Sequence, residues 1–406
     1  MPEPVGIVLA GLGGYGGMYL EALLDHGHEH CFRLVAAVDP SPGHCTRLDD
    51  LTARGVPIHP SLQAFYRATS AELAILSSPI HSHCGQTCLA LSHGSHVLCE
   101  KPAAATIQQV TRMLRARDRA GRQVAIGYQW SFSTPIQTLK GDILTGRLGQ
   151  PRRLKSLCLW PRDESYYGRN DWAGRLRDRR GAWVLDSPAN NAMAHDLHNM
   201  LYLLGPSAEH SAQPIDVVAE LYRANAIENF DTAALRVHTD NGAEILFYGS
   251  HAIPADSGPV FRFEFSSAVV EYATNQSPIV ARFTDGTVKE YGWPNGEPQA
   301  TKLWTCLAAI SGSAPIPCGL EAARSQTLCV NGAQDSCGPP VTFQRELVQI
   351  AGQAPRRQTW VTGLAETLQR CYADSALPSE LGVPWARAGR PIDLRGYRHY
   401  PGGQPA

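Results

Sequence analysis

The chain contains no run of about 18 apolar residues, the length a membrane-spanning helix needs, so no membrane span is expected. It carries almost no net charge. The formal value of −1 gives no electrostatic case for nucleic acid or an anionic membrane surface as a partner. The first 30 residues lack the basic start and long apolar run of a secretory leader, and none is expected. The 11 cysteines include no CxxC pair. The closest two, Cys84 and Cys88, fall on one predicted helix with no matching second pair, so free thiols in a reducing cytoplasm are expected rather than a zinc site or a disulfide framework. Repeats and low-complexity segments are absent too. What remains is a 406-residue chain, 43% hydrophobic and 18% charged, with the composition of a globular protein and the length of two domains.

Strands and helices alternate through the first third. Val5–Ala10 reads as a strand, followed at once by Gly11-Leu12-Gly13-Gly14-Tyr15-Gly16 and a helix with Met18, Tyr19, Leu20, Leu23 and Leu24 on one side. This is G-x-G-x-x-G in the strand–turn–helix setting that a dinucleotide requires. Gly11 allows the turn, Gly13 lets the backbone approach a pyrophosphate, and Gly16 lets helix and strand pack closely. A second strand, Arg33–Val38, ends in Asp39, which is placed to accept hydrogen bonds from a ribose 2′-hydroxyl. Pro40-Ser41-Pro42 offers no arginine for a 2′-phosphate, and Arg47 is expected to point to solvent. The reading is NAD rather than NADP, with Asp39 as a mere helix cap the alternative.

The alternation continues with a helix over about 43–54, a loop and short helix at Pro60–Tyr66, and a strand Leu73–Leu76 ending in Ser77-Ser78-Pro79-Ile80-His81-Ser82-His83. A helix to about 92, a strand at 95–99, a helix capped by Thr106 over roughly 106–119, and a strand Gln123–Ile126 follow. Such a pattern predicts a doubly wound parallel sheet, in which ligands sit outside the carboxyl ends of the strands. Gly11–Gly16, Ser77–His83 and Glu100-Lys101-Pro102 then converge on one crevice.

On these residues the chain resembles the glucose–fructose oxidoreductase / inositol dehydrogenase family of NAD(P)-dependent oxidoreductases. The resemblance rests on the Gly11–Gly16 turn, Ser78-Pro79-x-x-x-His83, Gly94-x-His-Val-x-x-Glu100-Lys101-Pro102, and Gly127-Tyr128 leading to Gly146-x-x-Gly149. It implies a Rossmann domain over 1–127 and a second α/β domain over 128–374 built on a large, open, mainly antiparallel sheet that serves as a homodimer or homotetramer interface. It also implies a helix near 319–336 that returns to the first domain, and hydride transfer between a sugar or polyol carbon and the nicotinamide. The cofactor residues it implies are Gly11, Leu12, Gly13, Gly14, Tyr15, Gly16, Asp39, Ser77, Ser78, Pro79, His81, His83, Glu100, Lys101 and Gln129.

The second half fits this pattern independently. After a helix at about 134–145, strands are predicted at Arg153–Leu159, Asp216–Tyr222, Thr232–His238, Glu244–Tyr248, Val260–Phe265, Val269–Tyr272 and Ile279–Phe283, several of them separated by Asn-Gly or Asp-Gly turns. The tail over 375–406, rich in Pro, Gly and Arg, reads as an extended arm.

Two segments of the second half carry chemistry. Trp160–Arg175 gathers aromatics and arginines, the side chains a sugar site uses, although a subunit interface uses them too. Residues 191–204 read as a helix with Leu197, Leu201 and Leu204 buried, which puts Asn191, His195 and His198 on one stripe. The family's usual Asp-x-Gly-x-His-x-x-Asp falls on Asn191, Met193, His195 and His198, so both carboxylates are replaced, and Asp186 stands as a displaced acid. A metal on this stripe has a thin case, and none is expected.

Lys101 and His195 are the candidate catalytic residues, with Lys101 the base if burial and the cationic nicotinamide lower its pKa. Lys101, Tyr128, Trp130, Arg162, Tyr166, Arg169, Trp172, Asp186, Asn191, His195 and His198 are the candidate substrate contacts, and Ser131 stands where the family often has arginine. Three functions fit: an NAD-dependent sugar or polyol dehydrogenase, a redox-neutral glycoside-cleaving enzyme that keeps its NAD, and a non-catalytic NAD-binding regulator.

Overall fold

Short apolar strands, several of them buried on both faces, build the first domain. In the computed structural model, which describes residues 3–27, 30–274 and 276–403, these are β1 (Val5–Ala10), β2 (Phe32–Val38), β3 (Ile58–His59), β4 (Leu73–Leu76), β5 (His96–Cys99) and β6 (Val124–Ile126). Helices α1 (Gly16–Asp25), α2 (Leu48–Ala53), α3 (Leu62–Ala68), α4 (Ile80–Ser92) and α5 (Ile107–Ala120) connect them. All pairings are parallel, in the order β3-β2-β1-β4-β5-β6. Ile7 to Ala10 and Ala74 to Leu76 are fully buried, as strands covered by helices on both faces must be. The order reverses between β1 and β4, so the crevice opens where the glycine turn and Ser77 leave the sheet. The helix expected over 43–54 is instead a 3-10 turn at Pro42–His44 followed by α2. Two-residue β3 is too short to leave a periodic signal in the sequence.

The second domain is organised on a ten-stranded sheet. Its elements are α6 (Thr134–Leu144), β7 (Pro151–Leu159), α7 (Glu164–Gly168), α8 (Ala194–Leu203), β8 (Pro214–Arg223), β9 (Thr232–Thr239), β10 (Glu244–Ser250), β11 (Ser257–Phe265), β12 (Ala268–Tyr272), β13 (Ile279–Phe283) and β14 (Val288–Gly292). There follow α9 (Thr301–Ile310), α10 (Leu320–Cys337), β15 (Val341–Thr342), the hairpin β16 (Val348–Ala351) and β17 (Gln358–Val361), α11 (Leu364–Asp374) and β18 (Ile392–Asp393). The sheet runs β14-β13-β12-β11-β7-β10-β9-β8-β15, with β18 also against β8. Only β7–β10 and β8–β15 pair in parallel. One face, with Leu154, Leu235, Ile245 and Phe247, joins the main core beside α8 and α10.

The opposite face is not left open along its whole width. Leu157, Leu159, Leu246 and Tyr248 form a second core with Leu364, Leu368 and Cys371 of α11, and the Tyr248 hydroxyl is fixed at the Cys371 and Ala376 carbonyls. Beyond that roof, β11 and β12 carry ion-paired Arg262, Glu264 and Glu271. The large, mainly antiparallel open sheet is as expected, with helix α11 laid across its middle strands.

Helix α10 reaches the first domain. Asn331 accepts from the Ile107 N–H and donates to the Ala105 carbonyl, so it seals the start of α5. The segment after α11, expected as an extended arm, is fastened down. Its β18 pairs with β8, Leu394 and Tyr397 are buried, and Gln108 of α5 donates to the Tyr400 carbonyl. Among the described residues no helix is long and apolar enough to cross a membrane.

Candidate active site

The glycine turn after β1 is tight at its two ends and open in the middle. Gly11 has φ +90°, and a Cβ there would lie 2.4 Å from the Ser77 carbonyl; at Gly16 it would lie 2.1 Å from the Gly11 carbonyl. Gly13 and Gly14 have nothing within 4 Å on that side, so the turn presents bare backbone to the crevice. Asp39 accepts from the Leu12 N–H at 2.9 Å and the Ser41 N–H at 2.8 Å. Its carboxylate ties the two loops together and retains lone pairs for ribose hydroxyls. Arg47 is held by Asp25 and Asp50, away from this loop. An open glycine turn at a helix amino terminus beside a fixed carboxylate fits the adenosine and pyrophosphate of NAD.

The other expected cofactor residues divide between the crevice and its supports. Ser77, Ser78 and Pro79 form the partly exposed turn after β4, with the Ser78 hydroxyl donating to Gln86 at 2.5 Å. His83 is buried, its two ring nitrogens each 2.8 Å from a carbonyl, those of Ser78 and Pro102. It pins the two loops together, and the expectation that it touches the cofactor is corrected to a positioning role. His81 stands 3.8 Å from Asp178 of the second domain. The Tyr15 hydroxyl donates to Gln129 at 3.1 Å.

Glu100 likewise turns inward. It is 7% exposed, accepts from the Tyr19 hydroxyl at 2.7 Å, and pairs at 2.5 Å with Lys302, itself 1% exposed on α9. Burial alone would raise the Glu100 carboxyl, but Lys302, Tyr19 and Lys101 hold it below the ordinary carboxylate range. Lys302 also donates to the Tyr15 hydroxyl at 3.0 Å. Sequence reasoning missed Lys302. Its signal was a lone lysine among Leu303, Cys306 and Leu307 on an otherwise apolar helix face.

Lys101 points the other way, into the crevice between the domains. Its Nζ donates to the Asn191 backbone carbonyl at 2.8 Å and to the Asn191 side-chain carbonyl at 3.1 Å. The Asn191 amide in turn donates to Asp186 at 2.7 Å, and Asp186 accepts from the Gly174 N–H at 2.6 Å. Burial, and after it the repulsion of Lys302 and Arg169, outweighs Glu100 and Asp186 and lowers the Lys101 ammonium to about 8. Asp186 is raised, chiefly by burial. Helix α8 begins at Ala194, so Asn191 lies in the preceding turn, where Asn191 and Met193 donate to the Ser187 and Pro188 carbonyls. The expected helical stripe is corrected on that point, yet Asn191 still meets Lys101.

His195 is held well below the ordinary histidine value by burial and then by the Lys101 charge, so it is neutral, and its Nδ1 has no hydrogen-bond partner. His198 belongs to the wall behind. It is 1% exposed, stacked 3.8 Å from Tyr128 and 5.6 Å from Tyr202, and shares a 2.9 Å hydrogen bond with Ser131. Tyr128 is fully buried, and Trp130 donates to Asn295 at 2.7 Å. Of these three expected substrate contacts, the Tyr128 hydroxyl and the His198 Nδ1 are buried without a hydrogen-bond partner. The Tyr128 and His198 rings pack between α8 and the Gly127–Ser133 segment, and the Trp130 ring packs against Tyr272.

Arginines and aromatics of the 160–175 segment do come together beside Asp186. The Arg169 guanidinium lies 3.7 Å from the Tyr166 ring centre, 5.4 Å from that of Trp172 and 3.9 Å from Asp186. Arg162 lies 4.9 Å from the same Tyr166 ring. Arg175 is exposed and paired with Glu228. Among the described residues no group of three His, Cys, Asp or Glu side chains is arranged to hold a metal.

Residues 5–128 match the family described as "Oxidoreductase family, NAD-binding Rossmann fold". The 1-carboxy-3-chloro-3,4-dihydroxycyclohexa-1,5-diene dehydrogenase of Comamonas testosteroni is 30% identical over 148 residues, 36% of this chain and 37% of that one. Inositol 2-dehydrogenase of Streptomyces avermitilis is 28% identical over 157 residues, 38% and 44% of the two chains. Each alignment thus covers less than half of either protein. The structure of the WlbA dehydrogenase from Bordetella pertussis, a complex with NADH and UDP-GlcNAcA, superimposes with a TM-score of 0.67 at 19% identity, covering 84% of this chain and 100% of that one. This likeness extends the shared fold over both domains.

Proposed function

We propose, from the match of residues 5–128 to the NAD-binding Rossmann oxidoreductase family, that the protein moves a hydride between a secondary alcohol of a sugar or polyol and NAD. The observation that carries this reading is the placement of Lys101. It stands at the carboxyl end of β5, aimed into the interdomain crevice, with an ammonium that deprotonates near 8.

Bound NAD would supply the hydride acceptor. The backbone of Gly11–Gly16, Asp39, the Ser77–Pro79 turn, His81 and Gln129 are the residues proposed to hold it. Lys101 in its neutral form takes the alcohol proton, and the two Asn191 carbonyls aim its Nζ. Neutral His195 offers a second hydrogen bond to the same hydroxyl. Asp186, Arg162, Tyr166, Arg169 and Trp172 line the far side of the substrate position. The buried thiols, Cys99, Cys306 and Cys318 among them, fit a reducing, cytoplasmic setting. An oligomer is part of the proposal, with its interface away from the strands under α11.

The test is spectrophotometric: the purified protein, NAD, and a panel of sugars, polyols and aryl glycosides, with absorbance at 340 nm read beside aglycone release. Steady NADH production that Lys101→Ala abolishes is the expected result. Aglycone release without NADH would mark redox-neutral glycoside cleavage instead, and silence in both channels an NAD-binding regulator.

A further inference from the structure

The charges around the proposed substrate position do not balance. Glu100 is taken by Lys302. Two further carboxyl groups are deeply buried nearby: Asp231 accepts from the Ala224 and Asn225 N–H groups, the Asn225 amide and the Thr232 hydroxyl, and burial pushes Asp196 up to about 7, which removes much of its charge near neutral pH. Asp163 faces Ser165 and Arg356 on the outer side. Lys101 and Arg169 face Asp186, which is already engaged by Gly174 and Asn191, and Arg162 and Arg169 otherwise donate to the Pro161 and Tyr166 carbonyls. Arg169 reaches Asp186 only at 3.9 Å, and Arg162 forms no ion pair within 4 Å among the described residues.

Unused hydrogen-bonding atoms lie at the same place. The Arg162 Nε is buried without a partner. His251, 2% exposed with its ring 5.5 Å from that of Tyr166, bonds the Trp160 carbonyl through Nδ1 at 2.7 Å and leaves Nε2 unpartnered. A carbonyl accepts only, so Nδ1 carries the proton and Nε2 of the neutral ring is an acceptor. One ring, Tyr166, is therefore flanked by two cations, an idle donor and an idle acceptor. Buried polar groups without partners are uncommon, and two of them beside two cations on one ring call for a ligand that satisfies them.

We infer that the substrate of the proposed reaction is an acidic sugar whose oxyanion group, a carboxylate or a phosphate, sits between Arg162 and Arg169 beside Tyr166, with a neighbouring hydroxyl donated to His251 Nε2. This rests on the dehydrogenase reading for the identity of the site, but not for the chemistry of the ligand. Two guanidinium groups give an oxyanion charge-assisted, geometrically defined hydrogen bonds that a neutral hexose cannot return. The anion also offsets the positive charge that a nicotinium ring would add next to Lys101.

The experiment compares matched ligands on the NAD-loaded protein: D-glucose, D-glucuronate and D-glucose 6-phosphate, and the galactose series likewise. NADH formation is read at 340 nm and binding is read by calorimetry. The expected result is a preference of at least 100-fold for one acidic member over its neutral parent, in kcat/KM or in binding, with the preferred member separating carboxylate from phosphate. Arg162→Gln and Arg169→Gln should each bring that preference below about tenfold, with retained NAD binding as the check on folding. An acidic sugar that binds with this preference but is never oxidised would overturn the dehydrogenase reading and leave this inference standing. Equal use of neutral and acidic members, or no binding of either acidic member, would overturn the inference itself.

Discussion

Lys101 and Asn191 meet twice: the ammonium donates to both the backbone and the side-chain carbonyl of Asn191, at 2.8 and 3.1 Å. Both contacts come from acceptors, so they hold the nitrogen in place without supplying a charge. The carboxylate of Asp186 acts one bond further out, through the Asn191 amide. The predictions about chemistry follow from this arrangement.

The first concerns pH. Below about 8 Lys101 is an ammonium with no lone pair, and above that value it is a free base. Alcohol oxidation, measured as kcat/KM, should rise with pH and level off above an apparent pKa near 8. Lys101→Ala should remove that limb and cost about 10²-fold or more, with NAD still bound. A flat wild-type profile between 6 and 9 would sink the assignment.

Asp186 and Asn191 should move the same limb in opposite directions. The Asp186 charge favours the Lys101 ammonium, so Asp186→Asn should shift the limb to lower pH; Asn191→Asp places a carboxylate against Nζ and should shift it to higher pH. Each should also lower kcat by roughly 10- to 100-fold through misplacement of the nitrogen. Titration of kcat/KM in the two variants checks both signs, and a shift in a common direction would refute the relay.

Cofactor choice turns on Asp39. Its carboxylate repels a 2′-phosphate, and Arg47, bound to Asp25 and Asp50, is not free to neutralise one. Like charges about 4 Å apart cost roughly 1 kcal/mol in water and several in a partly buried site. Binding of NADP should therefore be at least tenfold weaker than that of NAD. Asp39→Ala should narrow the gap mainly by weakening NAD, all the more because it releases the Leu12 and Ser41 N–H groups. Equal dissociation constants for the wild type would mean that Asp39 only fastens the loops.

Stability offers a fourth check, at the Glu100–Lys302 pair. Lys302→Met strands a buried carboxylate and should cost roughly 3–5 kcal/mol, whereas Glu100→Gln with Lys302→Met should recover much of the loss. Because Glu100 is held below its ordinary range, the pair's contribution is present above that range and lost as pH falls through the lowered value. Urea unfolding of the two variants at pH 7, and of the wild type from pH 7 down to pH 3, measures each.

Much of this was legible because local pattern and tertiary outcome agree. The apolar runs at Val5–Ala10 and Leu73–Leu76 and the glycines at 11, 13 and 16 can be satisfied in few ways other than a strand–turn–helix. What escaped depends on partners distant in the sequence. Lys302 is 202 residues from Glu100, and no periodicity links them. At Asn191, the heptad-like spacing to His195 and His198 suggested one continuous helix, but Pro188 and the Ser187 carbonyl organise a separate turn there. The sequence also gives no sign that the His198 imidazole stacks on Tyr128 and lies beside Tyr202.

The roof that α11 places over β7 and β10 bears on thermodynamics. A hydrophobic face covered by a second copy is stabilised by association, so its melting temperature rises with protein concentration. Here Leu364, Leu368 and Cys371 arrive on the same chain as the strands they cover. Closing this core is a unimolecular event, and the protection it gives the sheet is the same in a dilute solution as in a crowded one.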